Sequence, residues 1–181
     1  MKILHVGQMI GGLDIYIRNT ICYADKDFEY VIVHGKDDKN RPVIKNGVAV
    51  KEYSIDLYRA LNPYKDFKAI FQTIMIIKKE NPDVIHCHSA KGGVVGRIAG
   101  YLTHTKTFYT PHAFSFLSSE SLVKSKIYLM LERMVKFNSY LLACSESERV
   151  LGVEKVHYNK EHALAWSNSV PDAAKEVGDG K

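Results

Sequence analysis

The sequence predicts an α/β fold, in which about six to seven parallel strands form one sheet with helices on both faces. Short apolar runs alternate with longer amphipathic segments along the 181 residues, as they do in β-α units. Several short runs are apolar throughout, which is typical of strands covered on both faces. Hydrophobic residues make up 46% of the chain, enough to form the core of one ordinary domain.

The strands are predicted where apolar residues cluster between turn residues. For example, Asn81-Pro82 ends a helix and begins the fourth strand, because a residue before proline disfavours helical backbone. The predicted strands are Lys2–Val6, Tyr30–Gly35, Val48–Tyr53, Val84–His88, Thr105–Tyr109 and Tyr140–Cys144, with a weaker one at Ala163–Trp166. This order of elements predicts a Rossmann-like sheet.

Helices are predicted between the strands, at Leu13–Tyr23, Lys65–Lys79, Gly93–Leu102 and Ser121–Phe137. Apolar residues at three- and four-residue spacing predict the buried face of a helix. In the second helix these are Phe67, Ile70, Phe71, Ile74 and Ile77; in the fourth they are Ile127, Met130, Leu131 and Met134. The glycines at 92, 96 and 100 predict a smooth face on the third helix that lies close to the sheet.

Charge and cysteine content narrow the function classes. The net charge of +5 and the pI near 9.0 favour anionic partners such as nucleotide phosphates or a phospholipid surface. We expect no nucleic-acid partner, because the lysines and arginines are dispersed and no aromatic nucleic-acid motif is present. An odd number of cysteines, 3 in all, favours a reducing cytoplasm. We expect neither a secretory signal nor a membrane span, because no apolar run is long enough.

Ligands of parallel sheets bind beyond the carboxyl ends of the strands. The first such loop, Gly7–Asp14, opens a helix and contains glycines at 7, 11 and 12. Free N–H groups at a helix start attract phosphate, although glycine also occurs in such turns for steric reasons alone. The spacing is not the GxGxxG of dinucleotide sites.

Two later loops contain polar residues at the same predicted edge. His86 and His88 project to one side of the fourth strand, and Ser89 and Lys91-Gly92-Gly93 offer a helix cap and an anion cradle. His112 follows the fifth strand. His86, His88 and His112 could converge on a metal, but no carboxylate accompanies them and the chain is too short for a metallohydrolase barrel. We therefore expect no metal and no cofactor. There is no nucleophile elbow or P-loop.

Taken together, these segments resemble glycosyltransferase family 4 of the GT-B fold, and in particular its bacterial capsular and exopolysaccharide branch. GGLDIYIRN resembles the family's first loop, and ACSESE resembles its SxxE turn. KKENPDVIHCHSAKGGVVGRIAG and FYTPHAFSFL are the closest segments, and SNSVP (167–171) resembles the passage into a second domain. Asp14 stands where the family often has glutamate, and Ala113 where it often has glycine.

The resemblance implies a role for each loop. Gly11 and Gly12 match the loop that faces the donor diphosphate, and His112 matches a catalytic histidine that contacts the donor sugar. Ser89, Lys91 and His88 lie where contacts with the acceptor are expected. Residues 1–171 would form the acceptor-side N-terminal domain, and 172–181 a tail or the start of a link to a C-terminal donor-binding domain.

The resemblance also implies the reaction. We expect retaining, metal-independent transfer from a nucleotide-sugar donor to a lipid-linked or oligosaccharide acceptor in bacterial surface-polysaccharide synthesis. The enzyme would be cytoplasmic, with peripheral contact to the anionic inner face of the membrane, and the 181 residues alone would be inactive. Two alternatives remain open: half of a GT-B sugar-nucleotide epimerase, or a non-catalytic subunit that needs a separate donor-binding chain.

Overall fold

A computed structural model describes residues 1–38, 41–58, 62–119 and 121–166 of the chain. Its strands are β1 Lys2–Val6, β2 Glu29–Gly35, β3 Ile44–Lys45, β4 Val48–Ala49, β5 Lys51–Ile55, β6 Val84–His88, β7 Lys106–Thr110, β8 Tyr140–Ala143 and β9 Ala163–Ala165. Its α-helices are α1 Gly12–Tyr23, α2 Pro63–Glu80, α3 Ser89–Thr103, α4 Leu122–Val135 and α5 Glu146–Leu151. A π-helical turn at Gly152–Val156 extends α5, and a 3₁₀ turn at Lys160–His162 precedes β9.

Among these residues seven strands form one sheet in the order β5-β2-β1-β6-β7-β8-β9, and each neighbouring pair is parallel. The predicted α/β fold with a parallel sheet is therefore confirmed. The chain leaves β1 towards β2 on one side and leaves β6 towards β7 on the other. The strand order thus reverses between β1 and β6, which is where parallel sheets open a crevice for ligands.

One of the predicted strands is wrong. Val48–Tyr53 is not a single strand, because β4 pairs with β3 in a separate antiparallel hairpin and β5 starts only at Lys51. Asn46 and Gly47 form the turn of this hairpin, with positive φ of 51° and 78°. An Asn-Gly pair between two apolar stretches is a hairpin signal that the sequence carried.

The two faces of the sheet have separate cores. On β1, Leu4 and Val6 pack into the cluster that includes buried residues of α2 and α3. Ile3 packs into the other cluster, with Ile17 and Ile21 of α1. Since side chains alternate along a strand, His5, between Leu4 and Val6, points to the α1 face. The side chains of His86 and His88 on β6 lie on this same face, because His5 contacts both.

Helix α3 lies close to the sheet because glycines face it. A Cβ at Gly96 would lie 2.2 Å from the Cys87 sulfur, and one at Gly100 would lie 2.1 Å from the Thr107 hydroxyl. At Gly92 it would lie 2.7 Å from the carbonyl oxygen of Val6. These distances are too short for any side chain, so the predicted packing role of the three glycines is confirmed.

The buried faces of α2 and α4 differ from the predicted ones. On α2 the predicted Ile77 is buried and Ile70 and Ile74 pack against the core, but Phe67 and Phe71 are exposed. The other residues that face inward are Ala69, Thr73, Ile76 and Glu80. On α4, Ile127, Met130 and Met134 are exposed, whereas Glu132 and Val135 are buried. Glu132 occupies an inward position because Arg97 of α3, itself buried, pairs with it at 2.9 Å. A buried carboxylate cannot be inferred from apolar periodicity.

No helix in the described ranges is both long and apolar enough to cross a membrane. The SNSVP segment at 167–171 and the predicted domain boundary after residue 171 lie outside the described residues.

Candidate functional site

The candidate site lies at the carboxyl edge of the sheet, around the reversal point between β1 and β6. The loop after β1 leads into α1, and Tyr16 of α1 contacts the rings of two histidines from later segments. Its ring centre lies 5.7 Å from that of His88 at the end of β6 and 4.7 Å from that of His112 after β7. Helix α1, the end of β6 and the turn after β7 therefore meet at one place.

The glycine loop leaves the start of α1 open. Gly11 has φ 59° and ψ −133°, a backbone conformation available essentially to glycine alone. No side chain caps the helix, and a Cβ placed at Gly11 or Gly12 would meet no atom within 4 Å. A depression of about 340 Å³ lies beside the loop, lined by Met9, Ile10, Gly11, Asp14 and Asp37. The N–H groups of the first helical turn thus face unoccupied space, as an anion site requires.

Of the three carboxylates around this loop, Asp14 and Asp38 are engaged, whereas Asp37, which also lines the depression, is exposed. Asp38 accepts hydrogen bonds from the backbone N–H of Met9 at 2.7 Å and of Gly35 at 2.8 Å, which ties the loop to the end of β2. Asp14 pairs with Arg18 at 2.8 Å. Arg18 also donates to backbone carbonyl groups of the segment before β3. The negative charge of Asp14 is therefore balanced, and it does not repel an anion at the loop.

His112 lies on a strained turn. Its φ is 53° and that of Ala113 is 75°, values that residues other than glycine seldom adopt. Glu148 of α5 holds this turn, since its carboxylate accepts from the N–H of Ala113 at 2.8 Å and from that of Cys144 at 2.7 Å. Glu148 is buried and was not among the predicted site residues. The SxxE spacing from Ser145 was its only signal in the sequence, and Ser145 does cap α5.

A row of histidines leads from β1 to this turn. His5 Nδ1 lies 2.9 Å from His88 Nε2, and His88 Nδ1 lies 3.2 Å from His112 Nε2. The Cys144 sulfur lies 3.5 Å from His112 Nδ1. His88 was predicted to contact the acceptor, but its side chain is fully buried and instead connects two other histidines. The structure therefore does not fit direct contact between His88 and an acceptor.

Ser89 and Lys91 lie inside a helix and not in a loop. Helix α3 begins at Ser89, four residues earlier than predicted, and Ser89 does not cap it. Lys91 lies 2.6 Å from a carboxylate oxygen of Asp66 in α2, an ion pair whose geometry is outside that of a hydrogen bond. Lys91, Gly92 and Gly93 lie within α3 and not in a flexible loop, and both glycines pack against neighbouring strands or side chains. Ser89 and Lys91 stay predicted acceptor contacts that the structure does not test.

Three of the histidines could in principle bind a metal. Ligand atoms of His5, His86 and His88 all lie within 4.8 Å of one another. The predicted metal trio, with His112 in place of His5, is not the one that converges. Two nitrogens on a tetrahedral zinc would lie about 3.3 Å apart, given Zn–N bonds of about 2.0–2.1 Å. The 2.9 Å separation of His5 and His88 fits a hydrogen bond better, and His86 bonds Thr110 at 2.8 Å.

The histidines are neutral at physiological pH. Burial lowers the pKa of His5 and that of His112 to about 4. Burial and the neighbouring histidines lower the pKa of His86 and of His88 well below the usual value. A neutral imidazole can accept a hydrogen bond from a sugar hydroxyl or donate one to it, but it cannot act as a general acid near pH 7.

A second depression, of about 290 Å³, lies at the opposite edge of the sheet, where Tyr101 and Phe137 stack. None of the predicted site residues lines it.

Comparison with known proteins shows which family this chain matches and which proteins are similar to it. The profile described as Glycosyltransferase Family 4 matches residues 10–173. An Escherichia coli protein named UDP-Gal:alpha-D-GlcNAc-diphosphoundecaprenol alpha-1,3-galactosyltransferase is 32% identical over 93 residues, which are 51% of this chain and 24% of that protein. The capsular polysaccharide biosynthesis glycosyltransferase CapM of Staphylococcus aureus is 22% identical over 171 residues, 93% of this chain and 44% of CapM. The chain thus spans less than half the length of either relative.

Solved structures of low identity share the fold. Sucrose-phosphate synthase from Thermosynechococcus elongatus has a TM-score of 0.66 at 16% identity, over 92% of this chain and 47% of that one. A UDP-N-acetylglucosamine 2-epimerase from Rickettsia bellii has a TM-score of 0.63 at 13% identity, over 93% and 45% of the two chains. These neighbours establish the fold as half of a GT-B architecture.

Proposed function

Because the chain belongs to glycosyltransferase family 4, we propose that it is the acceptor-side, N-terminal domain of a retaining, metal-independent glycosyltransferase. The enzyme moves a sugar from a nucleotide-sugar donor to a lipid-linked or oligosaccharide acceptor in bacterial surface-polysaccharide synthesis, in the cytoplasm. A C-terminal donor-binding domain beyond residue 171 completes the site. One observation carries this proposal: α1 has an uncapped start, and Tyr16, in the second turn of this helix, contacts the ring of His112.

The open helix start suits the leaving group. When a nucleotide sugar reacts, the bond between the anomeric carbon and the diphosphate breaks, and negative charge builds on the diphosphate. N–H groups in the first turn of α1 and the helix dipole stabilise that charge without rearrangement. Gly11 and Gly12 allow the diphosphate to approach closely, because neither has a side chain in the way.

The histidine turn suits the sugar. The anomeric carbon acquires oxocarbenium character in the transition state, and groups that hold the sugar in position lower the barrier. His112 is half-buried, neutral and fixed on its turn by Glu148. It therefore positions the donor sugar and does not deliver a proton.

The relatives support the class of acceptor. The name of the Escherichia coli galactosyltransferase specifies a UDP-linked sugar as donor and a sugar-diphosphoundecaprenol, a lipid-linked diphosphate, as acceptor. The CapM name specifies capsular polysaccharide biosynthesis. We assign this chain to the same general chemistry and leave the individual sugar open.

The test is transfer by the chain joined to its donor-binding domain, with radiolabelled nucleotide sugars and polyprenyl-phosphate-linked or oligosaccharide acceptors. We expect a labelled product whose anomeric configuration matches the donor, and unchanged turnover in EDTA. An inverted product or loss of turnover in EDTA would contradict retention or metal independence. Conversion of the nucleotide sugar without an acceptor would favour the epimerase.

Two alternatives are distinguished by this assay. Epimerases share the fold, but two carboxylates at this edge have other partners: Asp14 pairs with Arg18, and Glu148 holds two backbone N–H groups. Acid–base chemistry would need carboxylates that are free to exchange protons. The second alternative, a non-catalytic subunit, predicts turnover only when a separate donor-binding chain is added.

We also propose that α4 contacts the anionic membrane surface where lipid-linked acceptors reside. Ile127 and Met130 are 47% and 55% exposed, and with Val123 and Met134 they form one stripe along the helix. Lysines flank the stripe at 124 and 126. An apolar stripe beside basic residues is the pattern of helices that lie in an anionic lipid interface.

Vesicle sedimentation at low salt tests this surface. We expect the chain to bind vesicles rich in anionic phospholipid and not neutral phosphatidylcholine vesicles. Replacing both Ile127 and Met130 by glutamine keeps the charge and should weaken binding about tenfold, because two inserted apolar side chains are lost. The matched control, Tyr23→Gln, changes an exposed side chain on α1. Equal binding by all three proteins, or self-association through α4 in place of vesicle binding, would contradict the proposal.

A further inference from the structure

His5 is a buried histidine that no part of the proposed reaction uses. It lies on β1, stacks on the ring of Tyr30 at 5.6 Å between centres, and directs Nδ1 at His88 Nε2 at 2.9 Å. His88 in turn directs Nδ1 at His112 Nε2 at 3.2 Å. Two buried side chains therefore connect the interior of the sheet to the ring that faces the donor.

The number of protons restricts how this row can be arranged. A neutral imidazole carries one N–H, and each hydrogen bond between two rings uses one N–H and one bare nitrogen. Only two arrangements satisfy both ring-to-ring bonds: every ring is protonated on Nδ1, or every ring is protonated on Nε2. The tautomers of the three histidines are therefore set together.

The far end of the row favours one arrangement. His5 Nε2 is buried and has no hydrogen-bond partner among the residues that the structure describes. Protonation on Nε2 throughout would leave a buried N–H without an acceptor at this end, and such orphan donors are rarer than unmet acceptors. Protonation on Nδ1 leaves a bare nitrogen there and directs His112 Nδ1–H towards the Cys144 sulfur, 3.5 Å away.

We propose that His5 and His88 are positioning residues that hold the His112 ring in its Nδ1–H tautomer, with Nε2 occupied by His88. The catalytic part of this inference rests on the proposed role of His112 in sugar transfer. A second proton on His112 could bind only at Nε2, where it would point at the N–H of His88 and replace the hydrogen bond between the two rings. The row thus keeps His112 neutral and its ring fixed while the donor binds.

Two variants of His88 separate positioning from packing. Asparagine places its amide near the position of Nδ1, so His88→Asn can still donate to His112 but loses His5. Glutamine reaches the position of Nε2, so His88→Gln keeps the contact with His5 but loses His112. We expect ¹⁵N spectra of the imidazoles to give Nδ1–H for His112 in the unmodified chain and in His88→Asn, and a tautomer mixture in His88→Gln.

The turnover of each variant should depend on the tautomer of its His112 ring. In the chain joined to its donor-binding domain, we expect His88→Gln to lower kcat about 10- to 100-fold with little change in KM for the donor, and His88→Asn to retain most of kcat. His104→Asn is the matched control, because His104 is exposed at the other end of β7 and asparagine tolerates its positive φ.

Two results would overturn the inference: an Nε2–H or mixed tautomer for His112 in the unmodified chain, or equal effects of the two His88 variants. The spectra require no turnover, so they test the row even if the sugar-transfer proposal fails. If the spectra agree and no sugar is transferred, the proposed function alone is wrong.

Discussion

His112 and Ala113 show how the chain forms its site from an unfavourable local conformation. Two consecutive residues with positive φ cost about 1–3 kcal/mol each. Glycine is common after the histidine in the family that the sequence resembles, and the φ of 75° at Ala113 gives the physical reason. Here the Glu148 carboxylate, which binds the N–H of Ala113, offsets the cost.

Gly12 allows the diphosphate role to be tested at one residue. We predict that Gly12→Val lowers transfer by about 100-fold or more, because its methyl groups would occupy the space where the diphosphate meets the helix start. The midpoint of thermal unfolding should change little, since a Cβ at Gly12 meets no atom within 4 Å. The assay is initial rate at saturating acceptor.

Cys22→Val, on the exposed last turn of the same helix, introduces the same side chain away from the site and should retain full activity. Normal transfer by Gly12→Val would remove the main support for the diphosphate role.

At the scale of secondary-structure elements, a buried polar cluster joins α3 to α4. Arg97 pairs with Glu132 at 2.9 Å, lies over the ring of Tyr109 at 3.8 Å, and donates to the hydroxyl of Tyr158 at 3.3 Å. Tyr109 also donates to Glu132 at 2.9 Å. The attraction between the two buried charges is needed to balance the cost of removing both from water.

We predict that Glu132→Leu destabilises the domain by about 3–5 kcal/mol, because it leaves the Arg97 charge buried without its counter-charge. The double variant Arg97→Met/Glu132→Leu should recover most of that loss, since no unpaired charge remains. Urea unfolding of both variants measures the difference. If the double variant is as unstable as the single one, the pair does not act as a unit.

The sequence predicted the positions of α2 and α4, but only part of the side that α2 buries and little of the side that α4 buries. Apolar spacing placed Phe67 and Met130 inside, whereas the structure exposes both and buries Thr73 and Glu132. Thr73 donates to the carbonyl of Ala69, whereas Glu132 accepts from Tyr109 of β7 and forms an ion pair with Arg97 of α3. The Thr73 bond is local to α2, but the partners of Glu132 depend on tertiary packing, which periodicity does not encode. The glycines of α3 were predictable, because their four-residue spacing is itself the packing feature.

At the scale of the whole molecule, the predictable part is the parallel sheet, the positions of most of its strands along the chain, and the edge that carries the site. Alternating apolar and amphipathic segments specified the sheet, and motifs that followed β1, β6 and β7 had to meet at one edge. The row from His5 to His112 was not predictable. His5 lies 83 residues before His88, and only the parallel pairing of β1 with β6 brings them together.

The buried histidines also predict how stability changes with pH. His5 and His112 have folded pKa values of about 4, below the ordinary 6.5, so the unfolded chain binds more protons between these values. Stability is therefore fully present above about pH 6.5 and falls as the pH drops towards 4, by up to about 1.4 kcal/mol per pH unit for each histidine. Urea unfolding at pH 7, 6 and 5 checks this.

His5→Phe keeps an aromatic ring stacked on Tyr30 and should reduce the change of unfolding free energy with pH by the contribution of one histidine. His104→Asn should leave that pH dependence unchanged. The lowered pKa values of Asp56 and Glu80 change the stability only below about pH 4.5. Stability that is constant or rises between pH 7 and 5 would show that these histidines are not buried as neutral rings.

The central claim is that this edge is one half of a sugar-transfer site, and it is tested most directly by comparing two proteins in one assay. The 181-residue chain and the same chain joined to its donor-binding domain would each receive labelled nucleotide sugar and a polyprenyl-phosphate-linked acceptor. We predict labelled product from the joined protein and none from the chain alone. Turnover by the chain alone, or none by the joined protein with any donor, would contradict the claim.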